Sequence, residues 1–148
     1  MKLTIVKGDL FTAPKSFSLC HCISADFALG AGIAKKFAEM GVRDELIKCY
    51  GKAKPYYLLG ECLFTTATEW YGEYSLVTKY KYYHKPTYET LRKCLVDLRW
   101  NCEFGVHKET IAMPKIGCGL DKLEWTEVEK IIRDVFKDTD IEIVVYER

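Results

Sequence analysis

The hydrophobic period of the chain switches back and forth along its length, and this alternation limits the fold more than any other property. "KLTIV" and "FSLCHCI" are short apolar runs rich in strand formers. The breaker-laden "KGDLFTAPKS" separates them, so they read as two strands joined by a loop. The next segment, "GAGIAKKFAEM", opens with two glycines and then places Ile33, Phe37 and Met40 at helical spacing, with lysines on the opposite side. "VRDELIKCY" continues as a second helix after Gly41. "ECLFTTAT" and "YSLVTKYKYY" return to strand character, and "EWYGEY" is the hairpin connection between them, around Gly72.

From Pro86 a helix is predicted, because proline suits a first helical turn and Leu91, Cys94, Leu95, Leu98 and Cys102 follow at spacings of three and four. Gly105 ends it. "TIAMP" is a short buried strand that runs straight into "KIGCGLD". Thr126 to Glu129 has capping-box form, with Val128, Ile131, Ile132, Val135 and Phe136 on one helical face behind it. "IEIVVYE" is the last strand. Strands alternating with helices predict an α/β sandwich with a mixed, largely parallel sheet and helices on both faces. A chain of 148 residues, 49% of them apolar, can bury one core, so residues 1–148 are expected to form a single domain.

Lys and Arg number 22 against 21 Asp and Glu, which gives no electrostatic case for indiscriminate binding to nucleic acid or anionic membrane. Any anion must be held by a local site. Seven cysteines without a C-x-x-C pair, most of them inside apolar runs, suit reduced thiols. Met1 leads directly into the first strand, with no signal-like or membrane-spanning stretch. The expectation is a soluble, cytoplasmic and monomeric protein, nuclear location remaining open for a eukaryotic source.

Three loops follow predicted strands, at 8–11, 23–32 and 115–121, and ligands of open α/β sheets sit at the carboxyl ends of strands. Gly30-Ala31-Gly32 opens a helix, where backbone N–H groups approach an anion closely, although a lone G-x-G also serves as an ordinary tight turn. Gly117-Cys118-Gly119 repeats the arrangement, and two such loops suggest a diphosphate clamp. Neither the Walker pattern nor a full G-x-G-x-x-G occurs. Cys118 as a nucleophile requires a base, and none of His21, His84 and His107 is close to it in sequence. Cys20-His21-Cys22 is not read as a metal site, since neighbouring strand residues face opposite sides. Asp121 is either a turn residue or an acid and base beside the phosphates. Lys85, ahead of Pro86 among aromatics, is either a solvated lysine or an amine nucleophile. "KYKYYHK" could also stack single-stranded nucleic acid.

Taken together, "VKGDLF", "HCISADFALGAGIAKKF", "HKPTYETL" and "PKIGCGLD", in this order, resemble a macrodomain, specifically the terminal ADP-ribose protein glycohydrolase branch. The resemblance implies a three-layer α/β/α fold that binds ADP-ribose without a cofactor or metal. It implies that Asp9, with Leu10 beside it, takes the adenine, that His21 and Ser24 line the cleft, and that Gly30, Ala31, Gly32 and Ile33 approach the diphosphate and distal ribose. Lys115, Ile116, Gly117, Cys118, Gly119 and Leu120 would wrap the diphosphate from the other side, with His84 also near the ligand. In that branch the lysine of "HKPTY" and the aspartate of "GCGLD" are the catalytic pair, here Lys85 and Asp121. The substrate would be ADP-ribose esterified to an acidic side chain of a protein. ADP-ribose 1″-phosphate, O-acyl-ADP-ribose, ADP-ribosylated DNA or a non-catalytic reader function are the alternatives. The "CISAD" of this chain departs from the asparagine-rich second loop of other macrodomain branches.

Overall fold

A computed structural model describes residues 1–105 and 108–148. His107 lies outside the described residues. The elements follow in the order β1 (Lys2–Lys7), a 3-10 turn (Leu10–Thr12), β2 (Ser18–Ser24), α1 (Gly32–Glu39), α2 (Val42–Tyr50), α3 (Pro55–Leu58), β3 (Cys62–Thr65), β4 (Gly72–Lys79), α4 (Tyr88–Glu103), β5 (Thr110–Pro114), α5 (Trp125–Phe136) and β6 (Glu142–Glu147). The strands form one sheet in the order β1-β6-β5-β2-β4-β3. All neighbours are parallel except β3, which runs antiparallel to β4 at the edge.

Helices cover both faces, which is why the central strands read as nearly unbroken apolar runs. On one face α4 and α5 press Leu91, Leu95, Leu98, Ile132 and Phe136 onto Leu76, Met113 and Ile143. On the other, Phe37 of α1 and Val42 and Leu46 of α2 pack with Leu19 and Val77. The alternation expected at Cys20-His21-Cys22 is present: Cys20 belongs to the first core, whereas the His21 ring stacks on Phe37 on the opposite face.

Several boundaries differ from the sequence reading, each for a local reason. Helix α4 starts at Tyr88, not Pro86, because Thr87 caps it. The Thr87 hydroxyl accepts from Thr90 N at 3.1 Å, and Thr90 Oγ1 accepts from Thr87 N at 3.2 Å. The capping box expected at Thr126–Glu129 does not form. Helix α5 already begins at Trp125 behind Glu124, whose N–H donates to the Tyr88 hydroxyl at 3.0 Å. Strand β3 ends at Thr65 because the buried Glu73 carboxylate captures the next backbone donors, Ala67 N at 2.8 Å and Thr68 N at 3.2 Å. Strand β4 ends at Lys79 because the chain beyond it turns, with His84 N donating to Lys81 O at 3.0 Å. The one-turn helix α3, led by its proline, is too short to have left a periodic signal.

Candidate active site

Strands β5, β2 and β4 are neighbours, so the loops leaving Pro114, Ser24 and Lys79 emerge side by side at one edge of the sheet. They enclose a cavity of about 730 Å³ lined by residues 28–34, the floor residues His21 to Ser24, Lys79, Tyr82, Lys85, and most of 114–121. Two of the loops expected to converge do so. The third loop at the cavity follows β4, not β1. Asp9 and Leu10 do not line this cavity: Leu10 is buried in the core, and Asp9 caps the 3-10 turn by accepting from Phe11 N at 3.0 Å. The second Asp9 oxygen lies 3.6 Å from Arg148.

The loop after β2 is held in an uncommon backbone conformation. Phe27 and Leu29 take φ of 52° and 42°, the left-handed region that a side chain disfavours by about 1–2 kcal/mol. Both side chains are buried, and Arg43 Nε donates to Phe27 O at 2.7 Å, which holds the loop in place. Gly32 then starts α1 at φ 60°, and no side chain caps the helix. Its first N–H groups are therefore free of a side-chain acceptor at the edge of a cavity lined by Gly30, Ala31, Gly32 and Ile33, an arrangement suited to an anion.

The loop after β5 turns at Gly117, φ 72°, where a Cβ would come within 2.9 Å of the Leu123 side chain. Lys115, Ile116, Gly117, Gly119 and Leu120 line the cavity, but Cys118 does not. Its thiol donates to Ile116 O at 3.3 Å and packs against the α4 and α5 core. Burial pushes this thiol up, and the nearby Lys115 only partly counters that. A protonated, inward-facing sulfur is a poor nucleophile. Cys118→Ser is expected to keep turnover within about threefold of the parent, measured by steady-state kinetics.

The charged centre of the cavity is an ion pair. Asp121 Oδ1 lies 2.6 Å from Lys79 Nζ, with side chains only 16% and 13% exposed. Lys85, expected to face Asp121, instead donates from Nζ to Leu120 O at 2.8 Å and stands at the exposed rim. Both lysines line the cavity, but the carboxylate is paired with Lys79. His84 does not line this cavity but a smaller depression of about 350 Å³ that shares Lys79 and Lys85 with it, and its Nδ1 accepts from Lys81 N at 3.3 Å. Cys22 lies beside the pair, and burial together with the Asp121 charge raises its thiol to about 12. Among the described residues no group of three or more His, Cys, Asp or Glu is placed to hold a metal ion.

His21 forms part of the cavity floor. Its Nε2 is 2.8 Å from Ser75 Oγ, its Nδ1 has no partner among the described residues, and its ring stacks on Phe37 with centroids 3.8 Å apart. Burial lowers its pKa to about 3, so the ring is neutral. A histidine depressed in the folded state stabilises the fold above its unfolded value near 6.5, and that contribution is lost as pH falls from there toward 3. Urea unfolding between about pH 7 and pH 4 should show stability falling by up to about 1.4 kcal/mol per pH unit from this group, with a flatter profile in His21→Gln. Ser24 ends β2 and donates to Asp26 Oδ1 at 2.5 Å. Lys115 is paired with Glu147 at 2.7 Å.

The Macro domain family model matches residues 20–132. The chain belongs to this family. This macrodomain is 45% identical over 147 residues to a Bos taurus protein named ADP-ribose glycohydrolase OARD1, covering 98% of this chain and 91% of that one. Its Homo sapiens counterpart is 44% identical over the same shares. Among solved structures, the macrodomain of Thermus aquaticus DarG superposes with a TM-score of 0.82 at 24% identity, covering 99% of this chain and 98% of the other. The macrodomain's mixed sheet with helices on both faces agrees with that fold. Sequence reasoning did not place Lys79, Cys22 or Tyr82 at the cavity. The signal for Lys79 was present in "YSLVTKYKYY": a lysine directly after a buried apolar run stands at the carboxyl end of its strand.

Proposed function

We propose that this macrodomain binds ADP-ribose in the 730 Å³ cavity and hydrolyses its link to an acidic side chain, with Lys79 as nucleophile and Asp121 as acid and base. The observation that carries the reading is the shielded Lys79–Asp121 pair, which joins the end of β4 to the glycine loop after β5 across the end of β2. The two relatives named ADP-ribose glycohydrolase, matched over nearly the whole chain, support the same reading. The amides of the β2 and β5 glycine loops take the diphosphate, which places the distal ribose toward Lys79.

Asp121 accepts a proton from Lys79, and the freed amine bonds to C1″ of the distal ribose. The C1″–oxygen bond breaks, and the acceptor leaves as its carboxylate. Water then adds at C1″, giving up one proton to solvent, while the C1″–nitrogen bond breaks and Asp121 returns its proton to the departing amine, releasing ADP-ribose and restoring the pair. Neither step needs a metal or redox partner. Lys85 is assigned to the rim, where it ties the segment after β4 to Leu120.

Calorimetry with ADP-ribose, AMP and a short single-stranded oligonucleotide, followed by release assays on aspartyl- and glutamyl-linked ADP-ribose, tests the function as a whole. ADP-ribose is expected to bind at least about tenfold more tightly than AMP, because only ADP-ribose spans both glycine loops. Binding without release identifies a reader, and preference for the oligonucleotide overturns the reading.

A further inference from the structure

Asp26 lies outside the cavity lining, yet its carboxylate connects two of the cavity's walls. Oδ1 accepts from Ser24 Oγ at 2.5 Å and from Ala28 N at 3.1 Å, within its own loop. Oδ2 accepts from Tyr82 N at 3.0 Å, 56 residues away in the segment between Lys79 and Lys85. A local Asx turn would need only the Ala28 bond. The link to Tyr82 is additional, and it joins the second loop to the segment after β4.

The position of this link matters because the sheet loses control there. The β2–β4 ladder shifts register between Ile23 and Ser24, pairing Ser24 with Lys79. Ala25 N donates to Lys79 O at 2.8 Å, and beyond that point the two chains separate around the cavity. The Asp26 carboxylate takes over where the ladder ends. On its other side the loop is already fixed by Arg43 on Phe27 O and by the buried Phe27 and Leu29 side chains in left-handed backbone. A loop anchored in this way is a firm base from which to hold a neighbour. Burial alone would raise the Asp26 pKa, but the bonds from Ser24, Tyr82 and Ala28, with Lys81 nearby, lower it overall, so the acceptor is ionised at neutral pH.

We propose that Asp26 is a positioning residue, which clasps the glycine loop after β2 to the segment that follows Lys79 and so holds that loop, with the distal ribose bound beside it, at a set distance from the attacking amine at the end of β4. The proposal rests on Lys79 being the nucleophile. A displacement of about 1 Å between reacting atoms is enough to cost about a hundredfold in rate, whereas the glycine loops, anchored separately, keep their hold on the diphosphate. Asp26 therefore acts on the chemical step and not on ligand affinity.

Asp26→Asn keeps the size of the side chain but puts an NH₂ where one of its three donors needs an acceptor. The expected result is a kcat lower by about ten- to a hundredfold, ADP-ribose affinity within about threefold of the parent, and an unchanged melting temperature. Hydrogen exchange at the Tyr82 amide should accelerate. A kcat equal to that of the parent overturns the proposal, as does a loss of kcat matched by lost affinity and lowered melting temperature. As a second approach, Tyr82→Pro deletes the N–H donor while Tyr82→Ala keeps it. The proline variant should show the kcat loss beyond that of the alanine variant, and equal rates in the two overturn the clasp. The Tyr82 amide exchange reads the clasp whether or not the lysine assignment holds, and Lys79→Met tests that assignment separately.

Discussion

Lys79→Met is expected to reduce release of ADP-ribose from an aspartyl- or glutamyl-modified protein by about a thousandfold or more, while ADP-ribose binding stays within a few-fold of the parent. Methionine is chosen because it fills the volume of the lysine stem and leaves no cavity. The variant leaves Asp121 without its partner at a site where its side chain is only 16% exposed, so a stability loss of roughly 1–3 kcal/mol should accompany it. The amides proposed to hold the diphosphate belong to other loops and should keep their geometry. Lys85→Met provides the contrast. Its amine meets only the Leu120 carbonyl at the exposed rim, so removal should cost less than about tenfold in kcat. Release assays and calorimetry on the two variants side by side decide between the lysines. If Lys85→Met were inactive and Lys79→Met active, the roles proposed for the two would be reversed.

The second large effect is at Asp121. Asp121→Asn retains the shape and a hydrogen-bond acceptor for Lys79 but cannot take or return a proton, so turnover should fall by about a hundred- to a thousandfold. Because adduct resolution needs the returned proton more than attack does, the variant should accumulate lysyl–ADP-ribose. Intact mass after exposure to substrate should then show a species heavier than the protein by one ADP-ribose less one water, absent in Lys79→Met. Loss of activity without any adduct in Asp121→Asn would confine the aspartate to the first proton transfer. Unchanged activity would remove it from the chemistry.

Much of the scaffold was legible because burial leaves periodic marks. Val128, Ile131, Ile132, Val135 and Phe136 identify α5, and the apolar run of "TIAMP" marks β5 to the residue. The boundaries that were misread depend on single hydrogen bonds with no periodicity, such as Thr87 with Thr90 and Glu73 with the Ala67 and Thr68 amides. The glycine loops were legible for a related reason: positive φ at Gly32 and Gly117 favours glycine at those positions. The partner of Asp121 was not. Lys85 stands out locally because Pro86 follows it, whereas Lys79 is set against Asp121 only by strand order, which brings the ends of β4 and β5 to either side of β2. Asp26 was hidden in the same way, since Tyr82 is remote in sequence and contributes only its backbone.

The sheet order also has a temporal consequence. Among the described residues strand β1 pairs with β6 alone, residue for residue from Lys2 with Glu142 to Lys7 with Glu147, and β6 also pairs with β5. During ribosomal synthesis β1 thus waits, unpaired, for β6, while β2, β3 and β4 can already assemble. The half of the sheet bearing the β5 glycine loop closes only when β6 slots between two waiting edges, and pairing over so long a span slows folding. Until then β1 and β5 present open edges to any neighbouring chain, and such unpaired edges favour association until β6 is in place.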